Sequence, residues 1–124
     1  MSTTIRRALC ALALASSGCS SPGFDHLAYR NISDAPGVAR LGARQIQIEK
    51  GIAVKAGILA VADDGSLMGS LDLQSSDSQV FRVDPGPKEA DFVFSGVDVG
   101  TADLEVWSEH DQVGTIPVEV LPQK

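Results

Sequence analysis

The chain has 124 residues, two cysteines, and 16 acidic against 10 basic side chains, which gives a formal net charge of −6. This length predicts one domain with a single core and modest stability. The acidic balance repels phosphate backbones, so we expect no nucleic-acid partner.

A positive pair and a short apolar run open the chain. Arg6 and Arg7 precede the run Ala8–Ala15, whose 8 residues fall far short of the roughly 18 that span a bilayer. The run has the length of a signal-peptide apolar region. Cleavage after Ala15, which ends a small-x-small site, is one interpretation of this segment.

The second interpretation rests on Ser17-Gly18-Cys19, which follows the apolar run. This sequence resembles a bacterial lipoprotein signal, although Ser16 stands where that signal usually has leucine. The resemblance implies that residues 1–18 are removed and that Cys19 is acylated, so that its lipid is the membrane partner. Ser20 follows the cysteine, and in Gram-negative lipoproteins a residue other than aspartate there implies the outer membrane. We favour this interpretation and expect a lipid-anchored envelope protein.

Residues 19–44 are predicted to be the lipidated cysteine and a flexible tether. The segment opens with Ser, Ser, Pro and Gly, has no clean hydrophobic period, and carries a turn signal at residues 34–37. The expected conformation is coil, with one helical turn that would place Phe24, Leu27 and Tyr29 on one face.

Strand signals dominate residues 45–124. Polar and apolar residues alternate, β-branched residues are common, and turn signals follow at regular intervals. Seven strands are predicted, at residues 45–49, 52–62, 67–73, 80–83, 92–94, 102–107 and 116–121. The pattern predicts an all-β fold, an antiparallel β-sandwich that folds alone from about Arg44.

The last two strands are predicted to form a hairpin with one buried face. Both apolar sets face the core only if the numbers of paired residues add to an even value. A sum of 222 leaves the three-residue loop 110–112, and a sum of 224 leaves the five-residue loop 110–114. We prefer the second register, which pairs Val106 with Val118 and Trp107 with Pro117, because it leaves Gly114 in the loop, where a positive φ is often needed.

Two stretches of this domain resemble bacterial Ig-like domains of the intimin/invasin type (group 2). Residues 75–84, SSDSQVFRVD, are similar to their middle motif, and residues 96–106, GVDVGTADLEV, are similar to their late Gly-Thr-Ala strand. The segment 85–91 departs from the usual short link. The resemblance implies an Ig-like sandwich that serves as a spacer or adhesion module, without catalysis and without functional residues to carry over.

No catalytic residue, metal site or cofactor is expected. The two histidines have no ligand spacing, and Glu109-His110-Asp111 falls at the predicted hairpin tip, where polar residues are usual. A Gly-x-Ser-x-Gly nucleophile motif and Gly-rich phosphate loops are absent from the sequence. We therefore expect a protein that is not an enzyme.

Trp107 is the one side chain whose position suggests binding. Alternation places it on the outer face with Asp103 and Glu105, where an aromatic ring among carboxylates could bind a sugar or a protein. We prefer the interpretation that Trp107 lies flat over Pro117 and only covers the sheet. The expected function is thus an envelope lipoprotein with a spacer or protein-interaction module, and the alternative is a small carbohydrate- or ligand-binding lipoprotein.

Overall fold

The computed structural model describes residues 23–124, and every regular element in that part of the chain is a β-strand. Within these residues, no helix is long and apolar enough to cross a membrane. The strands are β1 (Phe24–Arg30), β2 (Ala39–Leu41), β3 (Ile46–Glu49), β4 (Ala53–Ala62), β5 (Leu71–Ser75), β6 (Phe81–Pro85), β7 (Asp91–Gly96), β8 (Gly100–Ser108) and β9 (Asp111–Leu121).

The strands form two sheets, so the predicted β-sandwich is confirmed. The first sheet has the order β1-β4-β7-β6, and the second has the order β2-β3-β9-β8-β5. One pair departs from the predicted antiparallel pattern, because β3 runs parallel to β9 with Ile46 opposite Val118. The chain leaves β3 through Gly51, whose φ is 85°, and enters β4 in the other sheet, so β3 has no hairpin partner at its end.

Alternation along the strands builds the core. On β4 the even-numbered residues from Val54 to Ala62 are all buried, and on β9 the buried residues are Ile116, Val118 and Val120. Side chains at every second position leave the same face of a strand, so each sheet turns one apolar face inward. Phe81 and Phe94 pack at the centre with ring centroids 5.5 Å apart.

The predicted tether is wrong for residues 24–44, because they belong to the sandwich. Strand β1 pairs with β4 from Phe24 opposite Ala62 to Arg30 opposite Gly57. Leu27 is only 1% exposed, and the hydroxyl of Tyr29 donates to the carbonyl of Gly42 at 2.9 Å. The predicted helical turn is therefore a strand. A chain that starts near Arg44 would lack both β1 and β2.

The register predicted for the closing hairpin is also wrong, although its faces are right. Leu104 pairs with Ile116, and Val106 pairs with Gly114 rather than with Val118. From Gly100 to Val106 the sum of paired numbers is still even, so both apolar sets remain inside, and it becomes odd only beyond the bulge, at Trp107 and Ser108. The loop shrinks to the two residues Glu109 and His110, and a bulge shifts the register between Val106 and Trp107.

The turn and the close contact at Gly114 explain this register. Glu109 and His110 have φ values of 53° and 73°, the signs that a tight two-residue hairpin turn requires. Gly114 lies in strand β9, not in a loop, and a Cβ there would collide with the ring of Phe24. The glycine is therefore needed for close packing of β1, and not for a positive φ.

Candidate functional site

Cys19, the predicted anchor, lies outside the described residues. The described chain begins at Gly23, whose carbonyl accepts a hydrogen bond from the N–H of Asp63 at 2.9 Å. Phe24, the next residue, is already the first residue of β1. The sandwich thus begins five positions after Cys19 in the sequence.

Trp107 lies on β8, but its neighbours differ from the predicted ones. It is opposite Gln112 on β9 and opposite Asp72 on β5, so the prediction that it covers Pro117 is wrong. The indole is half-buried, and its Nε1 donates to Oε1 of Glu105 at 3.4 Å. Trp107 and Glu105 are therefore in contact, as their shared face predicts.

Asp103 belongs to a different surface. It is opposite Pro117, and the two residues line a shallow depression of about 500 Å³ together with Thr101 and Glu119. Asp103 and Trp107 are four positions apart on an extended strand, which is a distance of roughly 13 Å. The three predicted binding residues therefore do not form one compact site.

A larger cleft of about 650 Å³ opens at one side of the sandwich, between β4 and β5. Its charged, polar and aromatic wall includes Arg30, Asp72, Gln74, Glu89, Trp107 and His110. These residues come from β1, β5, β8, the 86–90 segment and the hairpin turn. Sequence reasoning missed this grouping because only the order of strands in the two sheets brings the residues together.

Residues of β4 also line this cleft, namely Ile58, Leu59 and Ala60. Aromatic, charged and apolar residues thus meet at one concave surface, which is the usual composition of a binding cleft. The geometry suits recognition of a ligand that has both polar and apolar parts.

Two carboxylates elsewhere have structural partners. Glu49 is 7% exposed, and its oxygens accept hydrogen bonds from the N–H groups of Val38 and Lys124, each at 3.2 Å. These bonds, with that from Val38 as the stronger influence, lower the pKa of Glu49. The carboxylate ties both the loop before β2 and the end of the chain to the core.

Asp25 carries a second small network on β1. Its Oδ2 lies 2.7 Å from Nδ1 of His26 and 2.9 Å from a guanidinium nitrogen of Arg44. The hydrogen bond with His26, and after it that with Arg44, lowers the pKa of Asp25. Among residues 23–124, no three His, Cys, Asp or Glu side chains are grouped so that they could hold a metal ion.

Comparisons with known proteins show that the fold of this chain is similar to that of solved S-layer protein domains. No protein-family model matches the chain, and no curated protein matches it. A crystal structure of domains 4 and 5 of the S-layer protein SbsC has a TM-score of 0.51 at 14% identity, over 82% of this chain and 54% of that one. A structure of domains 1–6 of the same protein has a TM-score of 0.52 at 14% identity, over 84% of this chain and 14% of that one.

A structure of SbsC domains 5–6 is similar to the same degree, with a TM-score of 0.51 at 14% identity, over 82% of this chain and 45% of that one. This chain thus spans about half or less of the length of each of these chains. At this identity the likeness concerns the β-sandwich fold alone.

Proposed function

We propose that this chain is a lipid-anchored envelope protein whose β-sandwich, of the bacterial Ig-like type, is a non-catalytic module for protein interaction or spacing. The likeness to domains of an S-layer protein, a protein of the cell surface by its name, supports an envelope role. The signal-like sequence that ends at Cys19 supports export and anchoring.

The early start of β1 is the observation that carries the proposal. Only four residues separate Cys19 from Phe24, and a chain of this length spans at most about 18 Å when fully extended. A lipid on Cys19 would therefore hold the sandwich against the membrane surface instead of letting it swing on a long tether. A module held in this way is suited to bind or space other envelope components close to the membrane.

Fractionation of cells that express Cys19→Ala tests the anchor. The variant should move from the membrane pellet to the soluble fraction and lose incorporation of labelled palmitate, because the thiol that carries the lipid is gone. Cys10→Ala is the matched control, since Cys10 lies inside the apolar run and should not affect either readout.

The same fractionation tests the location. The original protein should be recovered with the outer membrane, as Ser20 after the cysteine implies. Retention of Cys19→Ala in the membrane pellet would contradict the anchor, and recovery of the original protein with the inner membrane would contradict the sorting.

A further inference from the structure

Four side chains form a compact patch on the outer face of strands β5 and β8. Asp72 lies opposite Trp107, and Gln74 lies opposite Glu105. Side chains two positions apart on one strand are about 7 Å apart, and opposite side chains on neighbouring strands are about 5 Å apart. Asp72 and Gln74 are exposed, and Glu105 and Trp107 are half-buried. This β5–β8 patch therefore turns one indole and three hydrogen-bonding side chains away from the core.

Hydrogen bonds within the β5–β8 patch fix the directions of its polar groups. Nε2 of Gln74 donates to Oδ2 of Asp72 at 3.1 Å, and the backbone N–H of Leu73 donates to Oδ1 of the same carboxylate at 3.0 Å. On β8, Nε1 of Trp107 donates to Oε1 of Glu105 at 3.4 Å. A carboxylate accepts about four hydrogen bonds, and a side-chain amide both donates and accepts. The patch thus holds donors and acceptors with remaining capacity at defined positions beside an indole.

The large cleft continues from the β5–β8 patch toward β4. Asp72, Gln74 and Trp107 belong to its wall, and so do Arg30 and Glu89. Its volume of about 650 Å³ falls within the roughly 300–1,000 Å³ that is usual for small-molecule sites. A ligand that rests on the indole can therefore extend into the cleft, where a guanidinium provides donors and a carboxylate provides acceptors.

This combination of groups fits a sugar. A pyranose with equatorial hydroxyls has an apolar face of C–H groups, which stacks on an aromatic ring, and a polar rim, which needs both donors and acceptors.

Other classes of ligand fit the same groups less well. An anion is disfavoured, because the described residues of the patch and the cleft hold three carboxylates against the single guanidinium of Arg30. A quaternary ammonium is usually enclosed in a cage of aromatic rings, whereas Trp107 is the only Trp, Tyr or Phe that the described chain places in the wall. A simple amine would satisfy the carboxylates but would face the like charge of Arg30.

We infer that the β5–β8 patch and the adjoining cleft bind a β-linked oligosaccharide of hexose or N-acetylhexosamine units. One ring stacks on Trp107 with its hydroxyls hydrogen-bonded to Asp72 and Gln74, and the next ring enters the cleft beside Arg30 and Glu89. A β linkage between equatorial positions keeps successive rings in an extended ribbon, which suits an open cleft at the edge of a sheet. The inference adds a glycan ligand to the proposed module and does not depend on the lipid anchor.

Titration of the full chain with chitotriose and with cellotriose tests the inference, in a detergent that has no sugar headgroup, whether or not Cys19 is acylated. Trp107 is the only tryptophan, so its fluorescence reports directly on stacking. At least one of the two sugars should shift the emission to shorter wavelength and saturate with a Kd of about 1 mM or below. The NMR signals of the amides of residues 71–74 and 105–108 should shift with the same midpoint. The absence of a saturable change up to about 20 mM of either sugar would overturn the inference.

Two control ligands separate stacking from hydrogen bonding or charge alone. Sorbitol carries hydroxyls like those of a hexose but has no rigid apolar face, so it should not shift the emission of Trp107 at the same concentrations. Spermidine carries positive charge without hydroxyls, and it should bind more weakly than the better trisaccharide at about 0.15 M salt, where exposed charges are screened. An equal effect of sorbitol would contradict stacking, and tighter binding of spermidine would show that the site is a cation site instead.

A matched pair of glutamine variants locates the site. Gln74→Ala removes an exposed amide from the β5–β8 patch and should weaken binding about fivefold, the effect of one lost hydrogen bond. Gln47→Ala is the control, because Gln47 on β3 belongs to the outer face of the same sheet, three strands away at roughly 14 Å. It should leave binding unaltered, and equal effects of the two variants would overturn the assignment to this patch.

Variants of Trp107 test the stacking itself. Trp107→Ala should weaken binding of the better trisaccharide at least about tenfold, whereas Trp107→Phe, which keeps an aromatic ring, should lose less. Both are measured by NMR, because neither contains tryptophan, and unchanged amide signals of β1 show that the fold is intact. If the alanine variant does not fold, Trp107→Phe and Gln74→Ala decide the question. Undiminished binding by a folded Trp107→Ala would refute the role of the indole.

Discussion

Replacing Leu27 by alanine tests whether β1 is part of the folded domain. Leu27 is 1% exposed and lies opposite Ala60 on β4, in the middle of the β1–β4 ladder. In a flexible tether this side chain would already be in water, and its truncation would have no effect on stability. In the sandwich the truncation opens a cavity in the core.

The expected loss is large for a domain of this size. Leu27→Ala removes three carbon atoms, worth about 2.4 kcal/mol at roughly 0.8 kcal/mol per buried methylene. The cavity that remains adds to this transfer term, so the free energy of unfolding should fall by about 2–5 kcal/mol. A small domain has a total of about 5–15 kcal/mol. The urea midpoint should fall by about 1–2.5 M at a slope of about 2 kcal/mol per M, the middle of the range for small proteins.

Urea melts followed by tryptophan fluorescence measure the change in the free energy of unfolding. Trp107 is a suitable probe, because it is the only tryptophan and lies far along the chain from the mutated strand. Ala28→Ser is the matched control, since Ala28 is on the opposite face of β1 and is not part of the buried core. It should change the free energy of unfolding by less than about 0.5 kcal/mol. Equal small effects of both variants would refute the inclusion of β1 in the core.

The remaining predictions concern the closing strand and one carboxylate. Val118→Asp should abolish folding, because it buries a charge without a partner at a position that is 2% exposed. Glu119→Lys on the outer face should lower the free energy of unfolding by less than about 0.5 kcal/mol. If circular-dichroism melts show that Glu119→Lys is the more damaging variant, the assignment of the two faces is wrong. Glu49→Gln should lower the melting temperature at neutral pH, because the pKa of Glu49 is lowered in the folded protein and its ionised form therefore stabilises the fold. This stabilisation is complete above the ordinary pKa of glutamate and is lost as pH falls through the lowered value. The difference in melting temperature between Glu49→Gln and the original protein should thus shrink below about pH 4.5, and a difference that stays constant from pH 7 to pH 3 would contradict this role.

Local sequence pattern was sufficient to predict the strands in which polar and apolar residues alternate regularly. Each of the seven strands predicted from residue 45 onward has a counterpart, although β5 begins at Leu71 and not at residue 67. The alternation of Leu104 and Val106 with their polar neighbours identified the buried face correctly. The reason is that burial depends on the side of a strand from which a side chain leaves, which is a property of the strand itself. The β-sandwich follows from the number and spacing of such strands.

Strand β1 could not be predicted from local sequence pattern. Leu27 and Tyr29 alternate as strand residues do, but the run is short and polar enough to read as coil. Its conformation depends on pairing with β4, a partner more than 25 residues further along the chain. Pairing at such a distance is set by tertiary packing and not by local propensity.

Register and surface grouping were likewise decided by the tertiary structure. The alternation of apolar residues restricted the closing hairpin to registers in which the numbers of paired residues add to an even value. The choice among these registers depended on the left-handed turn at Glu109-His110 and on the packing of Phe24 against Gly114. The cleft beside Trp107 depended on the order of strands in two sheets. The sequence by itself determined which faces are buried, because that is local chemistry; which strands meet, and therefore which polar groups share a surface, depended on contacts between distant parts of the chain.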